Sequence, residues 1–277
     1  MPLVPTAEIV GRACRERRGV GAFNVVQIEL AEGLVAGAEA ADAPVVLQIS
    51  ENAVRYHGAL EPIALATMAI ARASTVPVGV HLDHATDRAL VEHAVELGFG
   101  SVMYDGSGLD YAENLATTAC VARRCAEAGV FVEAELGEVG GKDGVHAPGV
   151  RTDPGQAREF VAETGVDALA VAVGSSHAMR TRDAVLDLEL IARLHASLTV
   201  PLVLHGSSGV PDDDLTRAVR AGMTKVNIAT QLNRVFSAEV RRYLGEHPDV
   251  VDTRRYLGAA RDAVAAEVTR LLQVLGA

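Results

Sequence analysis

The first residues with the chemistry of a site are two histidines and an aspartate at the end of one apolar segment. The segment Pro77–Asp87 reads PVGVHLDHATD, and its apolar and small residues lead directly into His81, Asp83 and His84. A short apolar run bounded by proline and by polar turn residues is typical of a buried parallel strand. Burying two imidazoles and a carboxylate costs free energy unless they face a cleft or bind a metal. A solvated loop, or a core histidine satisfied by Asp83, is the alternative to a site.

Two further histidines occupy the same kind of position in later segments. His177 follows the apolar run ALAVAVGSS, and His205 follows PLVL. One such histidine is more often structural, but His84, His177 and His205 from three strands form the ligand set of a catalytic zinc site with one open position. Glu135, in the segment VFVEAELG, is a further or alternative ligand. The sequence therefore predicts a zinc site, provided that the fold brings these residues together.

Eight apolar, strand-like segments, each followed by a helical one, have to position these side chains. Their ends fall near Asn24, Ser50, Asp83, Asp105, Glu135, Gly174, His205 and Asn227. Regular alternation of eight strands with helices is the signature of the (β/α)8 or TIM barrel, an α/β fold whose strand ends form the active site. An open doubly wound sheet is the alternative, but neither GxGxxG after the first strand nor GxxxxGKS/T is present. We predict a single TIM-barrel domain over residues 1–277, with a helical extension from about residue 232.

The loops after the seventh and eighth predicted strands have the composition of a phosphate-binding site. Gly206–Gly209 reads GSSG and Asn227–Thr230 reads NIAT, and TIM barrels commonly bind phosphate at these two loops. Glycine lets the backbone approach an anion, to which amides and hydroxyls donate hydrogen bonds. A metal that polarises a carbonyl, a phosphate site, and Asp83 placed to move a proton together favour carbonyl chemistry on a sugar phosphate.

Composition narrows the functional classes. The chain has 277 residues, a formal net charge of -11 and 49% hydrophobic residues. An acidic protein is not expected to have nucleic acid or an anionic membrane as its main partner. The three cysteines lack zinc-finger spacing, and the N-terminus lacks the features of a signal peptide. We therefore predict a reduced, cytoplasmic protein.

Longer motifs along the chain resemble the class II, zinc-dependent ketose-bisphosphate aldolases of the fructose- and tagatose-bisphosphate group. In chain order they are GAFN, HLDHATD, SVMYDGS, VEAELGEVGG, GVDALAVAVGSSH, PLVLHGSSGVP, TKVNIAT and RRYLGAARDAV. The resemblance implies a lyase that reversibly cleaves a ketose 1,6-bisphosphate, with fructose 1,6-bisphosphate as the expected substrate. The products would be dihydroxyacetone phosphate and an aldehyde phosphate. Tagatose 1,6-bisphosphate, or another reaction of dihydroxyacetone phosphate, is the alternative.

The resemblance also implies roles for individual residues. Asp83 matches the proton donor to the aldehyde oxygen, and Asp143 the mobile acid at the carbon that gains or loses a proton. The implied zinc ligands are His84, His177 and His205. The implied phosphate-binding residues are Gly206, Ser207, Ser208, Asn227 and Thr230. A monovalent cation, Na+ or K+, near His177 and Gly206–Ser208 is also implied, as is a homodimer or homotetramer.

The chain departs from the family pattern at several positions, including the segment MRTRDAV after Ala178. Ala178 replaces the glycine that follows the second zinc histidine, and Asp143 is shorter than the usual glutamate of a GGxE loop. Gly108 follows DGS where histidine is common. Ala229 replaces the aspartate of NxDT, as in tagatose-type members, and is itself a candidate substrate-binding residue. The implied zinc ligands are all present, so the departures concern substrate identity and proton transfer.

Three polar residues at the ends of earlier strands have two interpretations. Asn24, Ser50 and Asp105 either line the pocket or cap turns. Asn24 and Ser50 are candidate substrate-binding residues on the first interpretation.

Two other functions remain open at the level of the sequence. In a Schiff-base aldolase, Lys225 would be the nucleophile, because it shares a strand face with Asn227 and can point into the barrel. A protein that binds a metal and a sugar phosphate without catalysis is also compatible with Ala178 and the altered GGKDG loop.

Overall fold

The strands form a closed parallel barrel. The structure is a computed structural model that describes residues 2–137, 150–177, 179 and 181–277. The strands are β1 Val20–Asn24, β2 Val45–Ser50, β3 Val78–Ala85, β4 Ser101–Tyr104, β5 Phe131–Leu136, β6 Ala168–Val171, β7 Leu202–Leu204 and β8 Met223–Ile228. Each strand pairs with its neighbours in chain order, and β8 closes the barrel on β1. This confirms the predicted TIM barrel.

One helix, α1 Thr6–Glu16, precedes the first strand, and the other helices follow the strands. These others are α2 Ile28–Ala41, α3 Glu51–His57, α4 Glu61–Ala73, α5 Arg88–Leu97, α6 Tyr111–Glu127, α7 Pro154–Thr164, α8 Leu188–Ser197, α9 Asp212–Ala221, α10 Thr230–Glu246 and α11 Thr253–Leu275. A short 3-10 helix, Ser207–Gly209, follows β7. No helix in the described part of the chain has the length and apolar character needed to cross a membrane.

The predicted boundaries differ from the structure at two places. α3 was missing from the sequence prediction because its seven residues are too few to show a helical period. It starts directly after β2, where the Ser50 hydroxyl accepts a hydrogen bond from the amide of Ala53 at 3.2 Å. β6 ends at Val171 rather than near Gly174, since Gly174 has φ 118°, which a strand does not allow.

The two faces of each strand have different environments. In β8, Val226 and Ile228 belong to the large apolar core between strands and helices, so Lys225 and Asn227 point into the barrel by the two-residue period. The interior of the barrel is therefore polar in its middle, where TIM barrels usually have branched apolar side chains. Such buried polar groups require partners, and the site below supplies them.

The ends of the barrel are covered unequally. α1 closes the amino end, where Ile9 and Val10 pack with Val20, Ala22 and Val46. The carboxyl ends of the strands carry the connecting loops that surround the site.

Two helices, α10 and α11, follow the last strand from Thr230 onward. α11 packs closely on α2, because Gly37 has no side chain: a Cβ there would lie 2.5 Å from the backbone oxygen of Ala265. α10 connects this helix pair to the mouth of the barrel.

Candidate active site

The carboxyl ends of the strands surround a cleft of about 560 Å3. A volume of about 300–1,000 Å3 is typical of small-molecule sites. The predicted substrate-binding residues that line it are Asn24, Ser50, Gly206, Ser207, Ser208, Asn227, Ala229 and Thr230. The cleft is also lined by Asp83, His84, Asp105 and His177. Residues from distant parts of the chain thus meet at one cleft.

Four potential metal ligands converge at this cleft. One nitrogen or oxygen from each of His84, Glu135, His177 and His205 lies within 4.8 Å of the others. The ring centroid of His84 is 5.1 Å from that of His177 and 4.5 Å from that of His205. Three imidazole nitrogens and a carboxylate oxygen are a donor set that Zn2+ binds tetrahedrally. The residues present therefore fit a zinc ion.

His84 is held in an unusual backbone conformation. It lies near the end of β3 with φ 50°, in the left-handed region, where a non-glycine residue costs about 1–3 kcal/mol. The register between β3 and β4 shifts between Leu82 and Ala85. Its Nδ1 is 2.7 Å from Oδ2 of Asp105, an arrangement that fixes the orientation of the ring and would leave Nε2 as the atom to bind a metal.

His205 is held differently, between two carboxylates inside the barrel. Its Nδ1 is 2.8 Å from Oε2 of Glu135 and its Nε2 is 2.9 Å from Oε1 of Glu133. Burial lowers the pKa of His205, but the hydrogen bonds to Glu133 and Glu135 outweigh burial and raise that pKa to about 9. Without metal, both ring nitrogens therefore carry protons and donate. Metal binding at His205 has to displace one of these protons.

Asp83 is a buried carboxylate oriented by two amides. The Nδ2 of Asn24 donates to its Oδ2 at 3.0 Å, and the Nδ2 of Asn227 donates to its Oδ1 at 3.4 Å. Burial raises the pKa of Asp83, but the positive charges of His84 and Lys225 outweigh burial and lower that pKa to about 2. The group is ionised at neutral pH and can accept a proton.

The loops after β7 and β8 also line the cleft. Gly206 has φ 66°, and a Cβ on it would lie 2.6 Å from the backbone oxygen of Ser176, so only glycine fits. Ser208 accepts a hydrogen bond from the amide of Gln231 at 3.1 Å, joining this loop to the start of α10. The N-terminus of α10, at Thr230, reaches the cleft. Helix N-termini and hydroxyls of this kind favour an anion such as phosphate.

Comparison with known families agrees with this geometry. The family model for "Fructose-bisphosphate aldolase class-II" matches residues 4–277. The chain belongs to the class II fructose-bisphosphate aldolase family. It is an aldolase, a carbon–carbon lyase, as its motifs predicted.

Individual relatives match the aldolase over its whole length. It is 38% identical over 281 residues to a probable fructose-bisphosphate aldolase of Bacillus subtilis, covering 100% of this chain and 98% of the relative. A fructose-bisphosphate aldolase of Geobacillus stearothermophilus is 36% identical over 280 residues, with the same shares covered. The crystal structure of the YdjI aldolase from Escherichia coli K12 superposes with a TM-score of 0.87 at 30% identity, over 99% of this chain and 97% of that one. A putative fructose-1,6-bisphosphate aldolase from Coccidioides immitis gives 0.87 at 27%, over 98% and 96%.

The structure gives some predicted residues a more specific environment. Asn24 lines the cleft and also orients Asp83, while Ser50 both lines the cleft and caps α3. Asp105 neither simply lines the pocket nor only caps a turn, because it contacts His84. Asp143 and Ala178 lie outside the described residues, so their predicted roles stay predictions.

Sequence reasoning missed the part played by Glu133. It was visible in the segment VFVEAELG, two residues before Glu135, and the two-residue period of a strand places both carboxylates on the same face. That period was the signal that could have found it.

Proposed function

We propose that this aldolase reversibly cleaves fructose 1,6-bisphosphate to dihydroxyacetone phosphate and an aldehyde phosphate, using Zn2+ held by His84, His177 and His205. The observation that carries the proposal is the convergence of these three imidazoles with Glu135 within 4.8 Å, next to a buried carboxylate. The names of the two curated relatives support fructose 1,6-bisphosphate as substrate. Tagatose 1,6-bisphosphate is the alternative substrate, on the ground that Ala229 stands in the NIAT loop.

Zinc would supply the electrophile. When bound, Zn2+ polarises the carbonyl of the ketose and stabilises the negative charge that develops on its oxygen. Glu135 is a further candidate ligand, since it belongs to the same cluster and contacts His205.

Asp83 would carry the proton on the aldehyde side. In cleavage it takes the proton of the C4 hydroxyl as the C3–C4 bond breaks, and in synthesis it returns that proton to the aldehyde oxygen. At neutral pH Asp83 is ionised, which is the form that can accept a proton, and the amides of Asn24 and Asn227 fix the direction of the carboxylate. Asp143 would exchange the proton at C3 of dihydroxyacetone phosphate.

The loops after β7 and β8 would bind the phosphate of dihydroxyacetone phosphate. Gly206, Ser207 and Ser208 offer backbone amides and hydroxyls, and Thr230 stands at the positive end of the α10 dipole. A monovalent cation, Na+ or K+, would be held by backbone groups around His177 and Gly206–Ser208.

The aldolase would act in the cytoplasm as a homodimer or homotetramer. Cys14, Cys120 and Cys125 are all free, as expected of a protein in a reducing compartment. Of the 17 residues of α10, all of them described, only Leu232 is buried, which leaves a long surface for a second copy. Size-exclusion chromatography with light scattering would measure the molar mass of the protein in solution, and a monomer would contradict the proposed assembly.

The decisive experiment compares cleavage of fructose 1,6-bisphosphate and tagatose 1,6-bisphosphate before and after EDTA, with zinc added back. We expect cleavage to be lost with EDTA and restored by zinc. The ratio of kcat/KM for the two ketoses then identifies the substrate.

Two other outcomes would contradict the proposal. Cleavage that persists in EDTA, with substrate trapped on a lysine by borohydride, would indicate a Schiff-base mechanism. Zinc binding without cleavage of either ketose would show that the substrate has been assigned wrongly.

A further inference from the structure

A buried lysine, Lys225, lies inside the barrel, two residues before the cleft residue Asn227 on β8. The Nζ of Lys225 donates to Oε2 of Glu133 at 2.8 Å and to Oδ1 of Asn227 at 2.9 Å. Lys225 and Glu133 are both 0% exposed. An ammonium group in such a place has to be paired, and here it has one ionic and one neutral partner. The lysine therefore contacts two side chains, Glu133 and Asn227, which in turn contact different parts of the site.

The first direction leads to the metal ligands. Glu133 uses its second oxygen, Oε1, to accept a hydrogen bond from Nε2 of His205 at 2.9 Å. With Nε2 occupied in this way, Nδ1 is the nitrogen of His205 that would bind the metal. A carboxylate on the far nitrogen of a metal-binding histidine fixes the orientation of the ring and raises its basicity as a ligand.

The second direction leads to the proton carrier. Because the Oδ1 of Asn227 accepts from Lys225, its Nδ2 is turned toward Oδ1 of Asp83, 3.4 Å away. The lysine thereby fixes which end of the amide faces the carboxylate. Without the ammonium group, Asn227 would keep only its hydrogen bond to Asp83, and nothing on its other end would hold the amide and the carboxylate in place.

We propose that Lys225 is a positioning residue that holds both reactive parts of the site: His205 through Glu133, and Asp83 through Asn227. This inference rests on the proposed function, in which His205 binds zinc and Asp83 moves a proton. It assigns Lys225 a role other than Schiff-base formation. Lys225 is the only lysine among the residues that the structure describes, and its ammonium is enclosed by its two partners and is not part of the cleft wall.

The test uses the zinc-loaded full chain with Glu133→Gln, Lys225→Met and the double variant. Each single change leaves a buried charge without its ionic partner, so a loss of stability alone would decide nothing. The double variant removes both charges and should regain much of the lost melting temperature. The informative readouts are the zinc dissociation constant, from competition with a chromogenic chelator, and the separate values of kcat and KM.

We expect Glu133→Gln to weaken zinc binding by about 10–100-fold, the usual effect of losing such a carboxylate partner. Lys225→Met should lower kcat about tenfold or more with little change in KM, because a misoriented proton carrier slows the reaction without weakening binding. The double variant should keep both defects although its fold is restored. Thr224→Val is the matched control: it is a buried residue of the same strand on the opposite face, and its zinc affinity and kcat should equal those of the wild type.

The inference is overturned if the double variant binds zinc and turns over within about threefold of the wild type, a margin well below the 10–100-fold expected here. Borohydride trapping of substrate on Lys225 would overturn it as well. If Lys225→Met does not fold, the nearly isosteric Glu133→Gln tests the inference instead. Unchanged zinc affinity in that variant would show that Glu133 does not position His205. Failure of the proposed function would look different, because the wild type itself would then show no zinc-dependent cleavage.

Discussion

Strands β3, β5 and β8 each place two side chains, two residues apart, inside the barrel. In each pair, the side chain farther from the cleft has a different environment from the one nearer to it. The upper layer consists of Asp83, Glu135 and Asn227. The deep layer consists of His81, Glu133 and Lys225, which stand two residues earlier on the same strands. All three deep residues are 0% exposed, whereas Asp83 and Asn227 line the cleft. The upper residues are placed to meet a ligand, and the deep ones contact other protein groups.

This comparison teaches that the chemistry of the site extends one layer below the surface that a substrate can touch. The upper layer contains the proposed proton carrier, Asp83, and a candidate metal ligand, Glu135, while the deep layer contacts and orients other protein groups. Changes in the upper layer should therefore affect reaction and binding, and changes in the deep layer should affect stability and the properties of its neighbours.

Replacing Asp83 by asparagine should have the largest effect. Zinc should remain bound, because Asp83 is not a member of the ligand cluster, but loss of a general acid–base group should lower kcat by about 10²–10⁴-fold. Steady-state kinetics with metal analysis of the same sample would measure both. Asp87→Asn is the control, since Asp87 only caps α5 by accepting from the amide of Ala89. Full turnover in Asp83→Asn would show that Asp83 does not transfer a proton and that the upper layer, like the deep one, only positions other groups.

Replacing Asp105 by asparagine should have an intermediate effect. The hydrogen bond to Nδ1 of His84 is lost or weakened, and zinc affinity should fall about 10–100-fold while kcat at saturating zinc changes less. A chelator competition titration would measure the affinity. Asp110→Asn, at the cap of α6, is the control. Equal affinities for the two variants would mean that the strand end alone orients His84.

Replacing His81 by glutamine should have the smallest effect, confined to the pH dependence of stability. Burial and then the charge of Lys225 lower the pKa of His81 to about 3, although Glu133, Asp83 and His205 also face it and the two carboxylates oppose the shift. Below pH 6.5, His81 is protonated in the unfolded chain but stays neutral in the folded protein. Stability is therefore lost as pH falls from about 6.5 toward 3, by up to about 1.4 kcal/mol per pH unit.

The variant should show a shallower fall in the free energy of unfolding between pH 6.5 and 4, measured by urea denaturation of the metal-free protein. Asp83, whose pKa is lowered to about 2, contributes mainly below about pH 5, and it is present in both proteins. His195→Gln removes an exposed imidazole and should leave the slope unchanged. Parallel curves for wild type and His81→Gln would show that His81 is protonated in the fold, and the deep layer would then carry another positive charge.

Much of the fold and of the residues around the cleft could be predicted from the sequence. Each strand is an apolar run that ends in a polar residue, and in a parallel barrel such ends must meet, so His84, His177 and His205 could be placed together. The motifs added roles that geometry alone leaves open.

The deep layer could not be predicted in the same way. Which partner a buried side chain meets depends on the register between strands that are distant in sequence, such as β5 and β8. Lys225 could be seen to point inward, but the same observation equally suited a nucleophile, and only the contact with Glu133 separates the two roles. Asp105 and Asn24 were likewise ambiguous, since their partners His84 and Asp83 lie on other strands.

The left-handed backbone at His84 has a consequence for anyone who modifies this barrel. Glycine or asparagine would occupy that conformation at lower cost, so a library screened for heat resistance alone should enrich replacements of His84. The survivors would be well-folded barrels lacking a ligand of the proposed metal site. Selection for thermal endurance therefore has to be paired with a filter for catalysis, because at this position the two demands oppose each other.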